Sequence, residues 1–477
     1  MGLKMHFVAD MTAEDYAFQP HMGISYLSAF LKENLGDIQV TLSCISDNIA
    51  ADIERIRPDI IGFSCTSRYF AQFEHLASSL KLKFHVPLLF GGVHISIAPG
   101  ELPEAADIGV IGEGEETLLE LIKNYTGSGF SNIERIKGIT YRKDGSLIIN
   151  PRREYIASLD KVPSRDLSLR MASWDKDHRA VMITSRGCPY KCHFCASSMF
   201  WDRVRLHSAR YVINEMKKLE ARFKIREILI FDDFFSIDKK RVAEIVELKK
   251  KEPTLAGIRF ESTSRVDSFD DEMAVLLKEM GVYRVSFGME SGCQKTLDYL
   301  KNKKVRLEQI SAAVSTAQKY GFECVGSFII GSPYESAEDI RETFKFIKGL
   351  GLKSVQITIA TPFPGTGLWA DGQAVGKITG NKWSEDYYAL FGIDPNTDIR
   401  KLLNGKRLLT QIDLDLFVSL AQDAVMLQNM INYSFYGRLR VRLRGLIVSA
   451  GLGFLIRWRR RFLQKLGASE PQSEVEL

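Results

Sequence analysis

Cys188, Cys192 and Cys195 stand at the spacing C-x₃-C-x₂-C, directly after an apolar, strand-like run at residues 181–184. Iron–sulfur clusters are held by cysteine thiolates, and a [4Fe–4S] cluster has four irons, so three ligands leave one iron open to an exchangeable group. A structural zinc site closes its tetrahedron with a fourth Cys or His, and His193 lies inside the loop. The regular β/α alternation around the cysteines favours the cluster, because a zinc knuckle needs no such scaffold.

The cysteine spacing resembles the signature of the radical S-adenosylmethionine enzymes. The resemblance implies that Cys188, Cys192 and Cys195 hold a [4Fe–4S] cluster whose fourth iron is chelated by the methionyl group of S-adenosylmethionine. It also implies that the reduced cluster cleaves this cofactor to a 5′-deoxyadenosyl radical. An aromatic residue usually precedes the last cysteine in this superfamily, as Phe194 does here.

The composition is that of an ordinary globular protein, with 477 residues, 45% of them hydrophobic and 26% charged. The first residues lack the basic and apolar regions of a secretory signal, so we expect a reducing cytoplasm. The other four cysteines lie in apolar runs typical of the core, and we expect no disulfides. They are Cys44, Cys65, Cys293 and Cys324.

From Met5 to about Tyr125, short apolar runs alternate with longer helical patterns. Continuous Val, Ile, Leu and Phe runs are typical of strands buried on both faces of a parallel sheet, so this alternation predicts an open, doubly wound, Rossmann-like α/β domain. Such sheets bind ligands outside the carboxyl ends of their strands. The loops there hold polar and glycine-rich segments at residues 64–67, 91–94 and 112–115.

These three segments resemble the cobalamin-binding domain that precedes the radical domain in one large subgroup of these enzymes. The resemblance implies a cobalamin site made of Ser64, Thr66, Gly91, Gly92, His94, Gly112, Glu113 and Gly114. The D-x-H-x-x-G loop that supplies an axial histidine in many such domains is absent. His21 is the only nearby candidate, and we expect it to be solvated rather than a ligand.

The β/α alternation restarts at Val181 and predicts six units of a partial barrel, with strands near 181–185, 227–232, 258–263, 283–288, 324–330 and 353–359. In β/α barrels the chemistry lies at the carboxyl ends of the strands, where the cysteine loop also falls. Segments at the other strand ends resemble the superfamily's cofactor motifs, among them Gly288–Gly292 and the P-x-P-G-T turn at 362–366. The resemblance implies that S-adenosylmethionine is bound by Phe194, Asp232, Asp233, Ser262, Arg265, Ser286, Glu290 and Ile329.

The predicted organisation has five parts: a cobalamin-binding-like domain at 1–150, closed by a hairpin at 138–150, a linker at 151–180, the radical S-adenosylmethionine partial barrel at 181–368, a mostly α-helical extension at 369–436, and a basic amphipathic tail at 437–477. The tail has arginines on both sides of the apolar stretch Gly445–Ile456, which is too short to span a bilayer. Such a segment suits peripheral contact with the inner face of the cell membrane. An RNA-binding arm and a solvated helix are the alternatives.

The resemblance implies a cobalamin-dependent radical methylase that acts on an unactivated carbon, with a ferredoxin or flavodoxin type protein as one-electron donor. The basic tail favours a hydrophobic, membrane-associated substrate such as a hopanoid lipid, and we do not expect a nucleic-acid partner. Cyclisation, ring contraction or carbon–carbon coupling is the first alternative, because the same motifs serve those reactions. Methylthiolation of RNA would need a second cysteine triad, which Cys44 and Cys65 cannot supply. A zinc-stabilised scaffold that binds RNA is the non-enzymatic alternative.

Overall fold

The computed structural model of the chain describes residues 2–11, 21–169, 178–352 and 354–380. Within these ranges the chain forms two largely parallel sheets with helices packed against them. The basic tail at 437–477, and all of the predicted extension after residue 380, lie outside the described residues.

The first sheet has seven strands in the order β2-β1-β3-β4-β5-β6-β7. The first five pair in parallel, and β6 and β7 add an antiparallel edge. The strands are β1 (Leu3–Ala9), β2 (Ile38–Cys44), β3 (Ile60–Ser64), β4 (Leu88–Gly91), β5 (Ile108–Val110), β6 (Ile139–Lys143) and β7 (Ser146–Ile149). In a sheet of this order, β1 and β3 flank the switch point at which ligands bind.

Helices cover both faces of this sheet, as the continuous apolar strands predict. One core cluster joins the sheet to the first and fifth helices, and the other joins it to the second and third. The helices are α1 (Met22–Leu35), α2 (Ile49–Ile56), α3 (Phe70–Lys83), α4 (Val93–Ile97) and α5 (Gly114–Ser128). The predicted doubly wound domain is therefore confirmed. The sequence pattern did not predict α2, and it indicated a loop where α4 begins.

The predicted hairpin at 138–150 is the pair β6–β7, joined by Asp144 and Gly145. Both turn residues have positive φ, 50° and 77°, which is the backbone of a type I′ hairpin turn. This hairpin forms the outer edge of the first sheet.

The described part of the predicted linker, residues 151–169, packs on α1 instead of running free. The Asp166 carboxylate accepts hydrogen bonds from the Ser28 hydroxyl and from the Lys32 ammonium, each at 2.6 Å. Val162 is fully buried in a small apolar cluster with Met22 and Tyr26 of α1. The segment is therefore fastened to the first domain by both polar and apolar contacts.

The second sheet has six parallel strands in the order β15-β14-β13-β12-β11-β8, which is chain order apart from a separate two-stranded ribbon. The strands are β8 (Arg179–Met182), β11 (Glu227–Ile230), β12 (Arg259–Ser264), β13 (Val282–Glu290), β14 (Glu323–Ile330) and β15 (Ser354–Ile359). The antiparallel ribbon pairs β9 (Ser185–Arg186) with β10 (Arg205–Leu206). All six predicted strands are present, and their order is that of an open β/α barrel.

Helices connect these strands and continue past the last of them. They are α6 (Ser197–Phe200), α7 (Ala209–Phe223), α8 (Lys239–Lys250), α9 (Asp271–Met280), α10 (Gln294–Leu300), α11 (Leu307–Lys319), α12 (Ala337–Gly349) and α13 (Gly367–Ala374). The last helix lies across the predicted boundary at residue 368. In the described part of the chain, no helix combines the length and the apolar character needed to cross a membrane.

Candidate cluster and cofactor site

The cysteine loop, residues 188–195, follows β8 and β9, and a buried carboxylate holds the end of the preceding strand. Asp232, just beyond β11, accepts hydrogen bonds from the Thr184 N–H at 2.6 Å, from the Thr184 hydroxyl, and from the Ser185 N–H at 3.2 Å. Burial raises the pKa of this carboxyl group. Asp232 is thus occupied with the backbone that leads into the loop, and its predicted contact with S-adenosylmethionine stays a prediction.

Two helices hold the cysteine loop by its backbone. The His193 N–H donates to the Leu300 carbonyl of α10 at 2.9 Å, and the Leu368 N–H of α13 donates to the His193 carbonyl at 3.2 Å. The Phe194 ring packs against a buried apolar cluster that includes Leu300, Leu368 and Ile329. The structure therefore brings together Phe194 and Ile329, two of the residues predicted to bind S-adenosylmethionine.

The three cysteines of the loop are free thiols and are only partly buried. Burial raises the pKa of Cys188, and raises that of Cys195 to about 11. Iron binds thiolates, so assembly of a cluster on this loop must release protons from these cysteines.

Arg265 places a cation beside the loop. Its Nη1 lies 4.0 Å from the Cys192 sulfur, its guanidinium lies 3.4 Å above the Tyr190 ring, and its Nη2 is 2.7 Å from Asp267. Three thiols on one loop with a guanidinium beside them fit an anionic iron–sulfur cluster, because the cation stabilises the charge of the thiolates. Arg265 was predicted from the sequence, whereas Tyr190 and Asp267 were not.

A buried ion pair lies close to the same thiol. Lys301 Nζ is 2.8 Å from Glu290 Oε1, and both side chains are at most 7% exposed. Burial alone would lower the pKa of Lys301, but the charges of Glu290 and Cys192 raise it. A side chain at Gly288 would displace this pair, since a Cβ there would lie 2.5 Å from Glu290 Oε1. Sequence reasoning selected Glu290 and missed Lys301.

Three further predicted residues lie on the neighbouring strands or just after them. Asp233 accepts a hydrogen bond from the Ser197 hydroxyl at 2.8 Å, immediately after the cysteine loop. The Ser262 hydroxyl of β12 is buried without a hydrogen-bond partner among the described residues. Ser286 is half-buried on β13, in register with Thr263 of β12. A buried, unpaired hydroxyl such as that of Ser262 is a ready hydrogen-bonding group for a cofactor.

His193 does not complete a zinc site in this structure. Its Nε2 lies 2.8 Å from Asp371 Oδ2, and the Tyr299 hydroxyl donates to the same carboxylate oxygen. The ring also lies 4.6 Å from the Tyr299 ring. It packs against Gly367 as well, where a Cβ would collide with Nδ1. With Nε2 at Asp371 and Nδ1 against Gly367, both ring nitrogens are occupied within the protein, which favours the three-cysteine ligand set over the Cys₃His alternative.

The predicted cobalamin loops meet at the carboxyl edge of the first sheet. Ser64 and Gly91 are the last residues of β3 and β4, and the Gly91 carbonyl accepts a hydrogen bond from the Cys65 N–H at 3.0 Å. The Thr66 N–H donates to Asp10, just after β1, at 2.7 Å. These loops therefore lie at the switch point between β1 and β3, where this type of sheet binds ligands.

His94 lies inside the domain, with its imidazole surrounded by partners. Nδ1 is 2.9 Å from the Ser67 hydroxyl, Nε2 is 3.3 Å from Glu101, and the ring stacks on Phe70 at 3.9 Å. The side chain is fully buried. These contacts hold the imidazole in the packed interior of the first domain. The predicted contact of His94 with cobalamin stays a prediction.

His21 caps the first turn of a helix, whereas the sequence predicted a solvated side chain. Its Nδ1 accepts a hydrogen bond from the Ile24 N–H at 3.2 Å, at the start of α1, and its Nε2 lies 3.5 Å from Asp10. Both ring nitrogens are therefore close to protein groups.

The four glycines of the cobalamin loops differ in what a side chain would meet. Gly92 has φ of 94°, and a Cβ there would lie 2.7 Å from the backbone of Cys65. Gly112 has φ of 82° with open space beside it. A Cβ at Gly91 would make only ordinary contacts, from 3.8 Å, whereas one at Gly114 would lie 3.0 Å from a leucine of α1. The positive φ at position 92 and its contact with the Cys65 backbone thus require a glycine there.

Glu113 lies where the two domains meet. Its carboxylate accepts hydrogen bonds from Arg186 and Arg205 of the barrel ribbon and from the Ile156 N–H of the linker segment. Burial alone would raise its pKa, but the two guanidinium groups lower it. Any contact of Glu113 with cobalamin would therefore have to share a carboxylate that three donors already occupy.

A doubly wound domain with glycine-rich loops, followed by an open β/α barrel with a three-cysteine loop, defines a radical S-adenosylmethionine enzyme with a cobalamin-binding domain. Family models agree: residues 182–347 match the radical SAM superfamily and residues 10–122 match the B12 binding domain. The chain is 36% identical over 364 residues to an uncharacterized methyltransferase of Pyrococcus horikoshii, covering 73% of this chain and 78% of that protein.

A more distant relative and two solved structures also resemble this chain. The hopanoid C-3 methylase of Methylococcus capsulatus is 25% identical over 334 residues, covering 67% of this chain and 61% of that protein. Among solved structures, the radical S-adenosylmethionine methyltransferase TsrM from Kitasatospora setae superposes with a TM-score of 0.69 at 17% identity, covering 80% of this chain and 76% of that one. The cobalamin-dependent radical enzyme OxsB also gives 0.69, at 18% identity, covering 94% of this chain and 75% of that one.

The chain belongs to the cobalamin-binding radical S-adenosylmethionine methyltransferases. The predicted fold class and enzyme class are confirmed, and so are the predicted cofactors: a [4Fe–4S] cluster, S-adenosylmethionine and cobalamin. The individual site residues and the domain boundaries stay predictions.

Proposed function

We propose that this methyltransferase methylates an unactivated carbon of a hydrophobic, membrane-associated substrate, with hopanoid lipids as the favoured class. When bound, the cluster with S-adenosylmethionine supplies a carbon-centred radical and cobalamin supplies a methyl group. The protein's own residues hold the cluster, place the two cofactors and exclude water. The substrate class is argued from the side chains at the catalytic end.

Exposed apolar side chains are concentrated at that end of the molecule. Of the eight large apolar residues exposed in the described part of the chain, four lie beside the site motifs: Val93 and Met199 in the short helices α4 and α6, and Phe231 and Tyr334 in the loops after β11 and β14. Large apolar side chains left in water are typical of surfaces that bind apolar partners. This concentration is the observation that carries the proposed substrate class.

Two of these residues come from different domains and lie on helices that pack together at one seam. Val93 begins α4 after the glycines of the first domain, and Met199 lies in α6 just after the cysteine loop. The helices α4 and α6 contact each other. A Cβ at Gly365, in the P-x-P-G-T turn, would lie 3.4 Å from the Met199 methyl group. An apolar substrate at this seam would lie between the two cofactor sites.

The named relative and the tail support the same class of substrate. A hopanoid C-3 methylase is among the relatives of this chain. The arginines that flank residues 445–456 suit attraction to an anionic leaflet, at about 1 kcal/mol each.

We expect the full chain to co-sediment with anionic liposomes at low salt, and to be released as salt screens the attraction. Equal binding to neutral liposomes would remove the tail as an electrostatic contact.

The test is turnover of hopanoid-containing liposomes by the reconstituted full chain, with S-adenosylmethionine carrying a deuterated methyl group. The expected product carries one deuterated methyl in place of a hydrogen, detected by mass spectrometry of extracted lipids. Phe231→Ser should lower lipid turnover while S-adenosylmethionine cleavage persists. Val275→Ser is the matched control, because Val275 is exposed on the outer helix α9. A product with hydrogens lost and no methyl gained would support the rearrangement alternative instead.

A further inference from the structure

The loops that carry the two predicted cofactor sites are joined through one guanidinium group. Arg186 lies two residues before Cys188, and its side chain reaches the loop at 112–115 of the first domain. We infer that Arg186 is a positioning residue that sets the separation between the cluster and cobalamin. This inference rests on the proposed placement of cobalamin at the carboxyl edge of the first sheet.

Both carboxylates of that loop bind the same guanidinium. Nη1 of Arg186 pairs with Glu113, and Nη2 lies 2.6 Å from Glu115 Oε1. Glu113 is the N-cap residue of α5, yet its side chain makes no capping hydrogen bond to that helix. It is turned instead toward the barrel, so the two carboxylates that flank Gly114 form a fork that matches the planar guanidinium.

A second arginine closes the cluster. Arg205 faces Arg186 across the β9–β10 ribbon, and its Nη1 lies 2.8 Å from Glu113 Oε2 and 2.8 Å from the Ile156 carbonyl. Like charges directly opposite in a ribbon repel each other. The shared carboxylate of Glu113 offsets that repulsion, so the ribbon geometry depends on the first domain.

The four side chains are sealed from water and their charges balance. Arg186 is 11% exposed, and Glu113, Glu115 and Arg205 are at most 6% exposed. Two cations and two carboxylates give no net charge. Removing one partner from such a group leaves a buried charge unpaired, so the geometry is fixed much more strongly than in a surface ion pair.

Backbone packing links the fixed position of Arg186 to the cysteine loop. Gly187, between Arg186 and Cys188, has φ of 91°, and a Cβ there would lie 2.5 Å from the Arg203 carbonyl. Cys188, the first predicted ligand, is therefore attached to Arg186 through a glycine packed tightly against the segment that leads into β10. A reaction that involves two cofactors needs them at a defined separation. A misplacement of about 1 Å can lower the reaction rate about 10²-fold.

The test measures the cofactor separation directly. The full-length chain is reconstituted with the cluster, loaded with hydroxocobalamin and reduced, and the magnetic relaxation of cob(II)alamin by the reduced cluster is measured by pulsed EPR. Arg186→Lys keeps the charge and loses the fork, and Glu115→Gln removes one of its partners. Arg203→Lys is the matched control, because Arg203 is 55% exposed and its side chain lies outside the group of ion pairs around Glu113.

We expect wild type and Arg203→Lys to give one narrow separation, and Arg186→Lys and Glu115→Gln to give a shifted and broadened one. Cleavage of S-adenosylmethionine should persist in all of them, which shows that the cluster is assembled in each variant. An unchanged separation in both fully loaded variants overturns the inference. Loss of a cofactor from both variants also overturns it, because the ion cluster would then serve binding rather than positioning. A wild-type chain that takes up no cobalamin overturns the proposed function instead.

Discussion

At the scale of single residues, the three cysteines of the loop can be tested against a cysteine elsewhere in the same barrel. Replacing Cys188, Cys192 or Cys195 by Ala removes one of three thiolates, so we expect loss of the cluster's visible absorbance and of 5′-deoxyadenosine formation. Cys324→Ala is the control, since Cys324 is buried near the amino end of β14, away from the loop. Continued 5′-deoxyadenosine formation by Cys192→Ala would contradict the ligand assignment.

The neighbouring glycines Gly91 and Gly92 separate folding from cobalamin binding. Gly92→Ala should destabilise the protein by about 1–3 kcal/mol without any cofactor, because of its positive φ and its contact with Cys65. Gly91→Ala should leave the stability within about 0.5 kcal/mol and lower cobalamin retention. Urea unfolding of the cobalamin-free chain and cobalamin content after gel filtration measure the two effects. Full cobalamin retention by Gly91→Ala would remove Gly91 from the site.

The sequence selected the candidate site residues that belong to short motifs, and missed those that only tertiary contacts bring to the same place. Cys192 and Glu290 stand in recognisable segments. Lys301 lies in a run of charged residues that reads as a solvated surface, and only the fold buries it beside Glu290. Arg186 lies next to the cysteines, but nothing in the sequence indicates that its partners are 71 and 73 residues away.

At the scale of elements, long apolar strands and helices were predictable, and short or paired elements were not. The strands β8, β11 and β14 read as apolar runs because both faces of a parallel sheet are covered. The eight-residue helix α2 and the two-residue strands β9 and β10 are too short to show a period. The two strands of the ribbon are 19 positions apart, and Glu113 binds an arginine from each of them.

The linker segment carries a pH-dependent attachment at Asp166. Burial alone would raise its pKa, but hydrogen bonds from Lys32, Ser168 and Ser28 lower it below the unfolded value of about 3.9. Its contribution is therefore present above that pH and is lost as pH falls through the lower folded-state pKa. Asp166→Asn should cost about 1–3 kcal/mol at pH 7, and this difference from wild type should shrink below about pH 4.

The measurement is urea unfolding of the cluster-free chain from pH 7 to pH 3. Asp202→Asn is the matched control, because Asp202 is 65% exposed and its one ion pair within the described residues is with Arg203 at 3.7 Å. A constant difference between wild type and Asp166→Asn across this range would show that the carboxylate charge does not stabilise the linker.

At the scale of the molecule, the first domain and the barrel share buried polar contacts. Arg165 of the linker segment donates to the Met22 sulfur of α1 at 2.9 Å and lies 3.3 Å from Glu215 of α7. The Tyr26 hydroxyl of α1 lies 3.4 Å from the same glutamate. Burial raises the pKa of Glu215. Because these contacts connect α1, the linker and α7, each domain depends on the other for part of its stability.

We therefore expect Arg165→Met to destabilise both domains together. Without its guanidinium, Glu215 loses its buried partner, which costs about 3–5 kcal/mol. Hydrogen exchange followed by mass spectrometry, across a urea series, reads β1–β5 and β8–β15 separately in one chain. Protection in both sets of strands should be lost at the same, lower urea concentration than in wild type, whereas Arg222→Met, on the exposed face of α7, should change neither. If only the barrel strands lost protection earlier, the two domains would be independent and the linker contacts would be a local feature of α7.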